Sequence, residues 1–142
     1  LWTEYIATPG KAEYMLLPRM LALAETGWTP TQIRDYDDFA GQRLPGPLAR
    51  LEKFGYNFRV PVPIGAKDTT MKGGKFTLEL KPSVEGGKVY YSVDGNEPTE
   101  NDLVYTAPVE ITVPEGGTVV FRCITATPGG KRSVSTTIKM EN

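Results

Sequence analysis

The sequence contains no histidine and a single cysteine, Cys123. Without histidine, the chain cannot form a histidine-based metal site or catalytic triad from its own residues. With one cysteine, it cannot form an internal disulfide. Cys123 lies among apolar residues in the middle of a strand-like stretch, so we expect a small, buried side chain there. We expect no metal and no other cofactor.

The chain also has little net charge and no long apolar run. A formal net charge of -1 argues against electrostatic binding to nucleic acid. No apolar run is long enough to span a membrane, and the sequence has no signal-peptide pattern. The chain starts without methionine, inside an apparent strand, so we expect it to be a piece of a longer protein. Missing targeting signals would then say little about where that protein is located.

The hydrophobic pattern changes character along the 142 residues, which are enough for one ordinary domain or two small ones. The pattern is helical up to about residue 55 and alternates from Lys72 onward. Between the two parts, the alternating prolines of residues 60–65 predict an extended, semi-rigid connector. We therefore predict two units, residues 1–65 and residues 66–142.

The second unit carries the signature of short antiparallel strands. Apolar residues alternate with polar ones in five stretches: Phe76, Leu78 and Leu80; Val89, Tyr91 and Val93; Val109, Ile111 and Val113; Val119 to Ala126; and Val134 to Met140. Glycine-rich turns separate these stretches. The spacing predicts a small antiparallel β-sandwich with a thin core, similar to fibronectin or immunoglobulin domains.

Two features of this unit have alternative interpretations. Tyr90, Tyr91 and Tyr105 are candidates for a sugar-binding platform, but adjacent strand residues face opposite sides, so at least one of them belongs to the core. The stretch Asp94 to Asn96 has spaced oxygen side chains that hint at calcium. Gly95 inside it, with Pro98 shortly after, favours a turn instead.

The first unit is dominated by an apolar helix predicted over Lys11–Glu25. Apolar residues surround almost its whole circumference, which predicts burial on more than one side. Pro18 should kink this helix or begin its main part. Arg19 and Glu25 are expected to be structural ion-pair or capping residues, and Trp28 is expected to fill the core.

Capping signals predict short helices after Trp28. Thr29 to Gln32 has the spacing of a capping box, with proline at the first helical position. Asp35 should cap a second helix, and Gly46-Pro47 should open a third, with Leu48, Leu51 and Phe54 on one stripe, that ends at Gly55. The acidic group Asp35, Asp37 and Asp38 could bind a cation, but capping explains it better.

The first five residues combine an indole, a carboxylate and a phenol. On a strand, Trp2 and Glu4 point to the same side. Such a face suits a sugar, whose C–H face stacks on an aromatic ring while a carboxylate accepts its hydroxyl hydrogen bonds. The alternative from these residues alone is an edge strand with a core tryptophan and a solvated glutamate.

Several motifs in the first unit share one resemblance. They are Leu-Trp-Thr-Glu-Tyr-Ile at the start, the helix Glu13–Glu25, Trp28, Asp37-Asp38-Phe39, Arg43-Leu44 and Gly-Tyr-Asn-Phe-Arg at 55–59. This set resembles the end of the catalytic domain of family-twenty glycoside hydrolases, the β-N-acetylhexosaminidases. The resemblance implies that residues 1–65 are the last strand and helices of a (β/α)₈ barrel. It also implies that Trp2 forms a wall of the sugar pocket and that Glu4 binds sugar hydroxyls.

The second unit has a matching counterpart. The stretch Val89 to Thr99 contains Asp-Gly-Asn-Glu-Pro-Thr, and Leu103-Val104-Tyr105 follows. It resembles the small C-terminal β-module of chitobiases and bacterial hexosaminidases, in which serine usually replaces Asn96. The predicted fold class is thus α+β: a barrel end followed by a small antiparallel β-sandwich.

The resemblance implies removal of terminal β-linked N-acetylglucosamine or N-acetylgalactosamine with retention, the substrate's acetamido oxygen being the nucleophile. The Asp-Glu pair that such enzymes place on an earlier strand is absent here, so no catalytic residue is predicted in this chain. A periplasmic, cell-surface or secreted location is implied. The alternative function is a non-catalytic carbohydrate-binding or spacer β-module. Because three short helices cannot cover an apolar one, we expect a homodimer of the isolated chain through helix 11–25.

Overall fold

The computed structural model describes residues 3–142, with short helices first and two β-sheets after them. The helices are α1 (Pro9–Leu16), α2 (Arg19–Trp28), α3 (Tyr36–Asp38) and α4 (Pro45–Lys53), with a π-helical turn at Phe39–Arg43 and 3₁₀ turns at Thr3–Tyr5 and Thr31–Ile33. The strands are β1 (Thr69–Lys72), β2 (Lys75–Leu78), β3 (Lys88–Ser92), β4 (Leu103–Val104), β5 (Val109–Thr112), β6 (Thr118–Ala126) and β7 (Thr136–Glu141). Within residues 3–142, no helix has the length and apolar character needed to cross a membrane.

Local signals set the ends of the helices. The Thr8 hydroxyl accepts a hydrogen bond from the Lys11 amide (3.2 Å) and caps α1, which begins with proline. Pro18 divides the helix predicted over Lys11–Glu25 into α1 and α2, because proline has no amide proton for a helical hydrogen bond. The Asp35 carboxylate accepts from the Asp38 amide (3.0 Å), which confirms its predicted role as a cap.

The predicted burial of the apolar helix is wrong for this chain. Neither α1 nor α2 has a buried residue among those that the structure describes. Leu21 is half-buried, whereas Leu23 is 71% exposed and Trp28, predicted to fill the core, is 89% exposed. The elements in residues 3–142 cover one side of the helix pair and leave the other side open.

Two smaller expectations also fail. Thr29 does not cap a helix that follows it, since it lies at the C-terminal end of α2, where its hydroxyl donates to Glu25 (2.7 Å). Residues 31–33 form a 3₁₀ turn instead of a longer helix. Phe54 is 73% exposed, because α4 ends at Lys53 and the apolar stripe of buried Leu48 and half-buried Leu51 stops with it.

The β-module has the predicted antiparallel sheets. The larger sheet has the order β1-β7-β6-β3-β4, and β2 pairs with β5 in a second sheet. All pairs are antiparallel except β1 with β7, which is parallel. The buried residues of the main core are Leu78, Leu80, Val89, Ile111, Val113, Phe121, Cys123, Ile138 and Met140. Cys123 is fully buried, as predicted, and burial raises the pKa of its thiol to about 12.

A second buried cluster joins the helices to the β-module. It consists of Leu48 from α4, Phe58 and Val60 from the segment after α4, and Val84 from the turn before β3. Each of the four side chains is at most 3% exposed. Burying a large aliphatic or aromatic side chain contributes about 1.5–3 kcal/mol, so the cluster favours one fixed arrangement of helices and sheets.

The proline-rich connector takes part in this joint. Ile64 and Lys81 exchange two backbone hydrogen bonds of 2.9 and 3.0 Å, which tie the connector to the strand region after β2. Gly65 has a φ of +90°, and a Cβ atom there would lie 2.3 Å from the Glu79 carbonyl oxygen. The connector is therefore held against the β-module, and it ends in a turn in which the Ala66 amide donates to the Pro63 carbonyl oxygen (3.1 Å). Its extended, semi-rigid character stays a prediction. The boundary between residues 65 and 66 stays a prediction.

Leu48 should be far more important for stability than an exposed leucine of the same helical region. We expect Leu48→Ala to lower the free energy of unfolding by about 2–5 kcal/mol, because it leaves a cavity in a buried cluster. The control Leu23→Ala, at a position that is 71% exposed, should cost less than about 0.5 kcal/mol. Urea unfolding followed by circular dichroism measures both. Equal losses would show that the cluster does not join the two parts.

Candidate functional site

The candidate sugar-binding residues, Trp2 and Glu4, are among the first five residues of the sequence. Trp2 falls outside the described residues, and Glu4 lies in the 3₁₀ turn Thr3–Tyr5 with its side chain exposed to solvent. The strand predicted for residues 1–5 is thus not formed at Thr3–Tyr5. A parallel barrel strand needs hydrogen-bonding neighbours on its edges, and within residues 3–142 no strand pairs with this segment.

The start of α1, a few residues after Glu4, is held by a segment from the other end of the helical region. The Asn57 side-chain amide donates to the Gly10 carbonyl oxygen (2.9 Å), and the Asn57 backbone amide donates to the Glu13 carboxylate (2.7 Å). The Arg59 amide also donates to the Leu17 carbonyl oxygen (3.1 Å). Sequence analysis assigned no role to Asn57 or Glu13. They are 44 positions apart, and no periodic pattern connects them.

Glu25 of α2 and Asp38 of α3 are engaged in structural contacts with Arg43. Arg43 donates two hydrogen bonds to Glu25 (2.8 and 2.9 Å) and one to Asp38 (2.7 Å). The Arg43 guanidinium and then the Thr29 hydroxyl hold the pKa of Glu25 below its ordinary value. This confirms the predicted ion-pair role of Glu25. Arg19 donates to the Met15 carbonyl oxygen (2.6 Å), across the break between α1 and α2.

No cation site is formed among the described residues. The structure brings together no group of three metal-ligating side chains in residues 3–142. At the predicted turn, the Asp94 carboxylate accepts hydrogen bonds from the Asn96 backbone amide (3.0 Å) and side-chain amide (2.6 Å), and Gly95 has a φ of +80°. These bonds lower the pKa of Asp94, the backbone bond first. They make this stretch a tight turn.

The three tyrosines do not form an exposed platform. Tyr91 stacks on Phe121, with ring centroids 5.2 Å apart, on the core side of β3. The Tyr105 hydroxyl accepts a hydrogen bond from the Leu80 amide (3.0 Å), so its polar end is already used. Tyr90 is 8% exposed and packs with Ile124 and Ala126 on the opposite side of the sheet. The expectation that at least one tyrosine belongs to the core is confirmed.

A small cleft lies over Tyr90 on this opposite side. Its volume is about 200 Å³, and Lys88, Glu100 and Thr127 line it together with Tyr90. Glu100 pairs with Arg132 (3.3 Å), and the Thr127 hydroxyl bonds to Glu52 of α4. Lys88 and Tyr90 line the cleft together with Gly86, Ala126, Pro128 and Gly130. This is a modest polar site compared with ligand pockets of roughly 300–1,000 Å³.

Comparison with known families identifies both parts of the chain. Residues 66–137, just over half of the chain, match the model of the chitobiase/β-hexosaminidase C-terminal domain. Residues 1–31 match the model of the glycosyl hydrolase family 20 catalytic domain. The chain belongs to the chitobiase/β-hexosaminidase C-terminal domain family, and this domain follows a piece of a family 20 catalytic domain.

Curated relatives agree with this assignment. A beta-hexosaminidase of Porphyromonas gingivalis is 35% identical over 99% of the chain, and an N,N'-diacetylchitobiase of Vibrio harveyi is 32% identical over 98% of it. The chain spans 18% and 17% of the lengths of these two proteins. A beta-N-acetylhexosaminidase of Cellulomonas fimi is 50% identical over 30% of the chain and 8% of its own length.

One solved structure, of fibronectin(III)-like modules from Clostridium thermocellum CbhA, aligns with 57% of this chain. The alignment covers 94% of the chain in that structure. The TM-score is 0.35 and the sequence identity is 15%. A likeness of this size carries no argument about the function of the chain.

Proposed function

We propose that this chain is the C-terminal part of a β-N-acetylhexosaminidase that removes terminal β-linked N-acetylglucosamine or N-acetylgalactosamine from glycans. Trp2 and Glu4 line its sugar pocket, and the catalytic Asp-Glu pair lies elsewhere in the enzyme. The β-module of residues 66–142 is attached to the end of the catalytic barrel through the cluster around Leu48.

One observation carries this proposal. Two family models match in the order that a hexosaminidase requires, the catalytic domain first and the C-terminal domain after it. The identity of 35% to a beta-hexosaminidase extends over 99% of the chain, so both parts resemble the same protein. The substrate class follows from that relative's name and from the resemblance of the Trp2–Glu4 motif.

The chemical roles follow from the side chains. The Trp2 indole offers a flat apolar surface for the C–H face of the terminal sugar. The Glu4 carboxylate accepts hydrogen bonds from sugar hydroxyls, which orients the ring for attack by the substrate's own acetamido oxygen. Such a mechanism needs no enzyme nucleophile. It requires a general acid that this chain does not supply.

The cleft over Tyr90 favours a second candidate function, carbohydrate binding by the β-module itself. Tyr90 and Lys88 would contact one sugar ring there. This function is compatible with the first, since a module can hold a glycan near the pocket of the domain to which it is attached. It ranks second because the Tyr90 ring is 8% exposed and offers little stacking surface.

The isolated chain should show no glycosidase activity. One segment cannot provide a constellation that several barrel strands supply, and the general acid is missing. The test is turnover of an aryl N-acetylglucosaminide by the purified chain. Activity above background that persists after repurification would contradict the assignment of catalysis to residues outside this chain.

In the whole enzyme, Trp2 and Glu4 should be needed for efficient turnover. Trp2→Ala removes the stacking surface, and Glu4→Gln weakens the hydrogen bonds to hydroxyls. We expect each change to cost about 2–4 kcal/mol in transition-state stabilisation, measured from kcat/KM. The matched control Glu110→Gln, an exposed glutamate on β5, should leave kcat/KM unchanged. If both site variants stayed within about threefold of the parent, the assignment would be wrong.

In the isolated chain, we expect the open side of α1 and α2 to be covered by a second copy of the chain. Met20 is 51% exposed and Leu23 is 71% exposed, and neither contacts a buried cluster of the described chain. We propose a symmetric dimer through this helix pair, which would cover the same patch on both copies. Light scattering at micromolar concentration should report about twice the monomer mass of 15.6 kDa. A clean monomer whose helix amides resist hydrogen exchange would contradict the dimer.

A further inference from the structure

The contacts between the start of α1 and Asn57 connect the candidate sugar site to a distant part of the chain. Gly10 and Glu13 lie in the first and second turns of α1, directly after the segment that carries Glu4. Asn57 bonds to both residues, through its side-chain amide and its backbone amide respectively. The bond to the Glu13 carboxylate is charge-assisted and, at 2.7 Å, short, as expected for a strong hydrogen bond of this kind.

Asn57 is itself held in place by its neighbours. Phe58 is 2% exposed and Val60 is 3% exposed, and both pack against Leu48 and Val84. The β-module supplies Val84 to this cluster, and its Ser83 hydroxyl donates to the Pro61 carbonyl oxygen (2.6 Å). The segment that presents Asn57 is therefore anchored on one side by α4 and on the other by the β-module.

From this arrangement we infer that Asn57 is a positioning residue for the sugar-binding segment. It fixes the start of α1, and with it the direction in which the preceding residues place Glu4. The Gly10 carbonyl oxygen accepts from its side chain and the Glu13 carboxylate accepts from its backbone amide, and the β-module helps to hold the segment that carries Asn57. This inference rests on the proposed function, because it assigns Asn57 a role in the same sugar site. It gives the β-module a task that does not require the module to bind sugar.

The first test is the kinetics of Asn57→Ala in the whole enzyme, at a temperature well below the melting temperatures of all variants. We expect kcat/KM for an aryl N-acetylglucosaminide to fall by about five- to thirtyfold, because small misplacements of positioning groups are costly. The control Asn101→Ala removes an exposed asparagine side chain from a loop of the β-module, and should leave kcat/KM within twofold.

A double-mutant cycle separates positioning from general weakening of the fold. If Asn57 acts by placing Glu4, then Asn57→Ala should have a clearly smaller effect on kcat/KM in a Glu4→Gln background than in the parent. The same factor in both backgrounds would overturn the inference, since it would show that Asn57 acts independently of Glu4.

The acceptor offers a second pair of variants. Glu13→Gln keeps an oxygen that can accept from the Asn57 backbone amide and should retain most of the activity. Glu13→Ala removes this acceptor, a contact that Asn57→Ala leaves in place, and should also lower kcat/KM because it frees the start of α1 from the same segment. Equal activity of the two Glu13 variants would contradict the inference.

Failure of this inference can be told apart from failure of the proposed function. If Glu4→Gln lowers kcat/KM and Asn57→Ala leaves it unchanged, the positioning role is wrong and the sugar site stands. If Glu4→Gln itself has no effect, the site assignment is wrong and the positioning role is overturned with it.

Discussion

The arrangement of this chain depends on the burial of Leu48, Phe58, Val60 and Val84 in one cluster. They come from three local structures: Leu48 from α4, Phe58 and Val60 from the segment around Arg59, and Val84 from the turn before β3. Around these four residues, the region of α1 and α2 adds half-buried side chains such as Leu17 and Leu21. The cluster therefore decides how the helical part sits on the β-module. Polar contacts at its edge, such as that between Glu52 and Thr127, are consistent with the same arrangement.

Under the proposed function, this joint gives a physical reason for a β-module that follows a glycosidase barrel. The N-terminal helix α1 is tied to Asn57, and Asn57 belongs to the segment that the module helps to bury. In the proposed enzyme, the module would influence the proposed sugar site by holding this part of the catalytic domain. The open side of α1 and α2 fits this interpretation, because those helices resemble a part of a barrel whose remaining elements would cover them.

The features that the sequence predicts well are those that depend on neighbours along the chain. Pro18 divides its helix because of its own ring, and Asp35 caps α3 through an amide three residues away. The alternation around Phe121 and Cys123 indicates which side of β6 faces the core. The prediction that Trp28 fills the core is wrong, because burial does not depend on neighbours along the chain. Whether a large side chain is buried depends on elements far away in sequence, and within residues 3–142 the Trp28 side chain is left 89% exposed.

The candidate site shows the same limit. The motif resemblance predicts that Trp2 and Glu4 bind sugar, and this stays a prediction. Residues 3–5 do not form a strand here, because a strand needs partners to pair with. The link between Glu13 and Asn57 spans 44 positions and follows from the packing of α1 on the 57–60 segment. Neither a glutamate nor an asparagine in the sequence indicates this contact by itself.

The most direct test of this account is a crystal structure of the whole protein with N-acetylglucosamine bound. The account predicts the sugar ring on the Trp2 indole, the Glu4 carboxylate within hydrogen-bonding distance of its hydroxyls, and Asn57 bonded to Gly10 and Glu13. A sugar bound where it touches neither Trp2 nor Glu4 would contradict it.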